Sequence, residues 1–484
     1  MSKQNRKSFR YWLWQNHFKL SSNSTEAGGS LIIALSLGVL MIGGTTTMLF
    51  TSNQNKTNAT ADEMSVRAQE VAELGITRVH NFLANNPRLA ELNYDEWEDE
   101  ITSGKITQSN DQVVTASSGG GTCTNVVGSL AGNTIGLDDI ELITTKQAVN
   151  NNNFAQGGFE IKEYTYNDSA GSLIIKSSVN PSATNLDSIF NSGVNNISQS
   201  QIEVQIPVPK RDPNDIPFPG VWLGDQSSTS RSNPVDANVM INGADCNKLQ
   251  LQVPKGRKFI ISSAKFPDMP VFPDASDTGV YDLGDLTGAG MNITLPRSGD
   301  QYDNEDDKVY HYIVNNISGS GSRTLTITPG KKVYIYLKGK MEISGSAEIS
   351  HVCGSVTDCR PDNFRIYGYG YKTGDKPAAL GSQNLPALAV SQDPLLCLRG
   401  SGASQGFIFA PGYQAMVSGA GAGSAFYGSV WVKRWAGSDV NCGSNTSNTV
   451  ITQDTTNWDT LGLVPQGLAP RIGSISSWQR KPVN

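Results

Sequence analysis

From Leu31 to Phe50 the chain carries no charged residue, and this run limits the fold more than any other feature. At about 1.5 Å per residue, a helix of that length reaches about 30 Å, the thickness of a bilayer's hydrocarbon core. Ser36, Gly38, Gly43, Gly44 and Thr45 to Thr47 punctuate it. Small residues of this kind let helices approach one another closely in lipid. The basic residues Lys3, Arg6, Lys7, Arg10 and Lys19 all precede the run. Positive charge on that side predicts a cytoplasmic N-terminus and an exported remainder. A plain signal anchor would explain the apolar run by itself.

The order of the small residues points further. A secretory signal places its small-residue cleavage site after the apolar core. Here Gly28, Gly29 and Ser30 come before it. The stretch Glu26-Ala-Gly-Gly-Ser-Leu-Ile-Ile-Ala-Leu35 resembles the class III signal of type IV prepilins. With Arg67-Ala-Gln-Glu-Val-Ala-Glu-Leu-Gly-Ile76, it is similar to the N-terminal region of PilX-type minor pilins, over residues 26 to 84. The resemblance implies a prepilin peptidase that cuts between Gly28 and Gly29 and leaves the apolar helix on the mature protein. It also implies a bacterial inner-membrane location, later a pilus or cell surface, with the major pilin and other minor pilins as partners. Most major pilins carry Glu at the fifth mature position, where it neutralises a neighbour's terminal amine. This chain has Ile33 there. A low-copy subunit is therefore expected rather than a bulk fibre subunit.

After the span, Met64, Ala68, Val71, Ala72, Gly75, Val79 and Leu83 recur at helical spacing until Asn85-Asn86-Pro87 ends the pattern. A nearly continuous helix from Leu31 to Ala84 would be about 80 Å long. The overall class is α+β, in four segments. Residues 1–28 form a basic leader, 29–86 a transmembrane and stem helix, 87–215 a small α+β unit, and 216–484 a mainly β head. In the third segment, 159–166 and 172–177 alternate like a hairpin, 201–208 resembles a further strand, and acidic residues 95–100 suggest a short helix. Proline-dense Asp212 to Gly220 marks the boundary.

In the head, Val333, Ile335, Leu337, Met341, Ile343, Ala347 and Ile349 hold strict period two, with Gly339 and Gly345 as corners. Short strands closed by glycine recur at 364–368, 396–402, 406–412 and 425–433, and earlier ones are expected at 238–241, 248–253 and 258–262. This pattern favours a short β-solenoid over a β-sandwich. The prolines of Phe266 to Pro273 predict an extended crossing segment. The large β-rich head is similar to those of cyanobacterial PilX-like proteins.

Charge and cysteine agree with export. The leader's five basic residues leave 33 basic against 43 acidic side chains beyond residue 28, so general nucleic-acid binding is not expected. All six cysteines, Cys123, Cys246, Cys353, Cys359, Cys397 and Cys442, fall in the exported part and read as disulfide candidates. Cys353 and Cys359 share one short loop and form the expected pair. His351 beside them offers only weak metal spacing, so no metal or other cofactor is expected. The run Asp303 to Asp307 lacks the glycine and terminal glutamate of a calcium loop and reads as a surface turn. His17, His80, His311 and His351 are dispersed, and no nucleophile or phosphate-loop motif occurs. No catalytic residue is assigned and an enzyme is not expected. The rival is a membrane-anchored solenoid enzyme acting on surface polysaccharide. Within the pilin reading, turns rich in Tyr, Asn, Ser and Gly suit contact with a surface glycan.

Overall fold

The computed structural model describes residues 29–102, 112–116, 121–122, 147–149, 156–180, 190, 197–224, 235–242, 251–262, 264–383, 389–400, 404–419, 426–435, 451–453 and 457–483. The chain divides into two compact units, Met1–Arg67 and Ala68–Asn484. A single helix, Gly29–Asn85, begins in the first and ends in the second.

In the first unit, every large apolar side chain from Leu35 to Phe50 is exposed. The helix is long and apolar enough to cross a membrane by length and composition. Its hydroxyls do not break it, because they bond back onto the helix itself. Thr45 Oγ1 donates to the Met41 carbonyl at 2.9 Å, Thr46 to Ile42 at 2.8 Å and Thr47 to Gly43 at 2.7 Å. Each polar side chain is thereby satisfied without water, as an apolar environment requires.

In the second unit the same helix acquires a buried face. Ala68, Ala72, Ile76, Val79 and Leu83 are fully buried at spacings of four, four, three and four. Ala72, Ile76, Val79 and Leu83 pack with Phe159, Leu173, Ile175, Val204 and Ile206 of an antiparallel sheet, and the Ala68 carbonyl accepts from Ser177 Oγ. That sheet has five strands in the order 477–481, 198–207, 170–180, 156–167, 147–149. Glycine at 75 permits the close approach, since a Cβ there would meet the Phe159 ring at 2.7 Å. The acidic 95–100 stretch lies in the helix Tyr94–Thr102, whose Trp97 Nε1 donates to the Leu89 carbonyl at 2.8 Å. The strand Ser477–Lys481 comes from the far C-terminus and pairs antiparallel with Ser198–Pro207.

The head is built of parallel strands. Val309–Gly319, Lys332–Leu337, Phe364–Gly368, Ser404–Gly419 and Phe426–Trp435 lie side by side in register, for example Val333↔Phe364 and Phe407↔Ser429. Shorter passes stack likewise, with Ile317↔Met341 and Leu325↔Ile349. The long alternating stretch breaks into Lys332–Leu337, Met341–Ile343 and Glu348–Ser350, so Gly339 and Gly345 do fall between strands. All seven odd-numbered apolar residues are buried.

The chain does not climb this stack in one direction. Val221–Leu223, Val239–Asn242 and Lys258–Ser262 extend it beyond Phe426–Trp435, whereas Val280–Thr287 adds to Val309–Gly319 at the other side. Between Ser262 and Val280 the chain must therefore pass eight parallel strand spacings. At about 4.8 Å each that is about 38 Å, within the roughly 60 Å that 18 extended residues can reach. The proline-rich segment is this strap. It covers the outer face of the strands, where Trp222, Tyr336, Tyr367, Tyr369, Phe407, Phe409 and Trp431 form a second buried cluster. Tyr336 falls on the outward phase of the alternation, yet the strap and its neighbours bury it. The strands are thus apolar on both faces, as buried parallel sheets generally are.

Candidate functional site

The N-terminal residues singled out by the sequence divide at the helix start. Gly28 and the leader, including His17, lie outside the described residues, and Gly29 opens the helix. Ile33 is 60% exposed on it.

The cysteine loop is closed by a Cys353–Cys359 disulfide with 5.2 Å between the Cα atoms. Cys397 is disulfide-bonded too, whereas Cys123, Cys246 and Cys442 lie outside the described residues. His351, Cys353 and Cys359 form a cluster that could share a metal by proximity, but the two sulfurs are bonded to each other and offer no thiolate. His351 is fully buried, with Nδ1 2.7 Å from the Gln405 carbonyl and Nε2 3.5 Å from Cys359 Sγ. Only a protonated Nδ1 can donate to that carbonyl, which fixes the tautomer. Burial pushes the imidazole below its ordinary pKa, against the Gln405 bond and the Asp362 charge. The ring is a neutral structural group.

The other singled-out residues are also structural. His80 Nε2 donates to the Gly473 carbonyl at 2.9 Å. Asp303 accepts from the backbone N–H groups of Asn304 and Val309 at 2.7 and 3.1 Å and lies 3.2 Å from His311 Nε2. Burial works against its charge, but these partners outweigh burial and hold the carboxyl below the usual range. With Asn304 accepting from the Asp307 N–H at 2.7 Å, the acidic run closes on itself as a turn.

A concave site that no sequence spacing announced lies where the strap meets the strand ends. It is a cavity of about 320 Å³. Phe266 forms an apolar wall with Ala378 and Pro411. Its ring packs on Trp222 at 4.7 Å and Phe409 at 5.6 Å. Gly224 makes room for it, since a Cβ there would meet the ring at 2.4 Å. The polar side holds Lys265, Asp375, Lys433 and Gln466. Lys433 binds Asp375 and also Asp393, the latter at 2.8 Å, and Arg434 reaches Asp393 at 2.8 Å. Burial disfavours the Lys433 ammonium, but its two carboxylate bonds prevail and raise its pKa. Among the described residues, two cations and two carboxylates therefore balance within this group. Lys265 stands apart from it, exposed and without an ion pair among the described residues. It is tied to Gln466 by reciprocal backbone bonds of 2.8 and 3.1 Å.

No family model matches the sequence, and no curated protein matches it. Among solved structures, the chain is similar to the crystal structure of competence-associated pilin ComZ from Thermus thermophilus. The identity is 9%, covering 87% of this chain and 98% of that one, with a TM-score of 0.21. A likeness at that level does not define a shared fold.

Proposed function

We propose that this chain is a minor pilin or pilin-like subunit of a type IV pilus or pseudopilus, processed after Gly28 and held in a bacterial inner membrane by its apolar helix. In this reading the leader is cytoplasmic, and a prepilin peptidase exposes Gly29. The major pilin and other minor pilins are the assembly partners. The parallel-stranded region is a short solenoid head serving pilus assembly, motility or adhesion, with a surface glycan as its candidate ligand. The role is non-catalytic. The observation that carries the reading is one helix with two surfaces. It is apolar and exposed from Leu35 to Phe50, then buried at every third or fourth residue from Ala68 to Leu83 under an antiparallel sheet. A simple anchor needs only the first surface. The sequence around Gly28 supplies the processing site.

N-terminal sequencing of the membrane-extracted protein tests this. The expected mature terminus is Gly29, and Gly28→Val is expected to leave the leader attached. A terminus still at Met1, or one well beyond Phe50, would overturn the proposal.

A further inference from the structure

We propose that the cavity beside Phe266 binds a carboxylated pyranose, a uronate-type residue of an acidic polysaccharide. This deepens the reading of the head as a glycan-contacting surface and rests on it. At about 320 Å³ the cavity falls at the small end of ligand pockets, a size suited to one or two sugar rings. Its two sides match the two faces of a sugar. Phe266, Ala378 and Pro411 offer an apolar wall for ring C–H groups. The Asp375 carboxylate, held by Lys433, accepts hydroxyl donors, and Gln466 adds an amide.

Charge narrows the class. Among the described residues Lys433, Arg434, Asp375 and Asp393 neutralise one another, so the surplus charge lining the cavity is the Lys265 ammonium. A neutral sugar would leave that cation unused. A small inorganic anion would leave the apolar wall unused. A ring bearing both C–H surface and a carboxylate uses both. Because the exported part is acidic overall, attraction comes from this local cation and not from a long-range field, and salt is expected to weaken it.

The test is binding of trigalacturonate and of neutral maltotriose to the full chain in detergent, by calorimetry. Trigalacturonate should bind saturably and at least tenfold more tightly. Lys265→Gln should abolish that preference without changing the thermal midpoint, because the side chain is exposed. Phe266→Leu should weaken both sugars, with circular dichroism checking that the head stays folded. No saturable binding of trigalacturonate, equal binding of the two sugars, or a preference that survives Lys265→Gln would overturn the assignment. The measurement does not depend on the N-terminal residue, so failure here is distinguishable from failure of the pilin reading.

Discussion

Buried single residues in the head set its response to pH and to side-chain volume. His351 is fully buried and its pKa lies below the ordinary 6.5. Below about pH 6.5 an unfolded chain takes up a proton that the folded ring resists, so folding then opposes protonation. The stabilisation is complete above that pH and is lost as pH falls toward the folded value. The unfolding midpoint should therefore drop on going from pH 7.5 to pH 5. His351→Asn should flatten that slope while costing about 1–3 kcal/mol at pH 7.5 through the lost Gln405 bond. A pH slope that His351→Asn leaves unchanged would refute the assignment. The paired carboxylates of Asp303 and Asp393 are held low and act at more acidic pH, whereas burial raises the pKa of Glu91, which offsets part of the His351 loss on acidification. Volume is limiting at Gly428, which stacks on Gly406 of the next strand with φ of 133°. A Cβ there would meet the Gly406 carbonyl oxygen at 1.9 Å. Gly428→Ala should cost about 3 kcal/mol in urea unfolding, and a change under 1 kcal/mol would show that the two strands separate easily.

At the scale of elements, the long helix should respond to substitution by face. Ile76 is fully buried beneath the antiparallel sheet, and Glu73 one turn earlier is exposed. Ile76→Ala should destabilise by about 2–5 kcal/mol, against less than about 0.5 kcal/mol for Glu73→Ala. Equal effects in denaturant titrations would place the helix face wrongly. This face was legible in the sequence because its signal is local: Ala68, Ala72, Gly75, Val79 and Leu83 repeat every third or fourth residue. The same holds for the odd-numbered apolar run from Val333 to Ile349 and for the Cys353–Cys359 loop. The strap was legible as an extended crossing segment. What it covers was not, because Tyr336 looks the same in sequence whether its face meets water or Phe272. The cavity was hidden for a stronger reason. Phe266, Asp375, Lys433 and Gln466 are scattered over some two hundred residues, and only the order of the stack brings them together. That order itself departs from chain order, since Val221–Leu223 pairs with Phe426–Trp435, and no spacing rule records such a return.

If the chain is a pilin subunit, as proposed above, the decisive position is Ile33. If Gly29 becomes the N-terminus, its amine carries a positive charge into a bundle of apolar helices, where an unpaired ion is costly. A pilin with Glu at the fifth position removes that cost for its neighbour. This chain can receive such help from a Glu-bearing neighbour but cannot return it, because Ile33 has no carboxylate. Breaking a buried ion pair by removing one partner costs about 3–5 kcal/mol, less where water or lipid headgroups reach the amine. In a homopolymer the loss recurs at every subunit, so ten subunits would forgo tens of kcal/mol. In a mixed fibre it arises once, or not at all when this subunit sits where nothing needs its fifth side chain. The subunit is therefore expected at low copy, dependent on a Glu-bearing major pilin. Expression in a strain lacking the major pilin should give membrane-bound protein and no fibres, scored by electron microscopy with antibody against the head. Ile33→Glu, which restores the carboxylate, should raise its copy number in fibres of a strain that has the major pilin. Abundant fibres of the unmodified chain alone would show that Ile33 does not limit assembly.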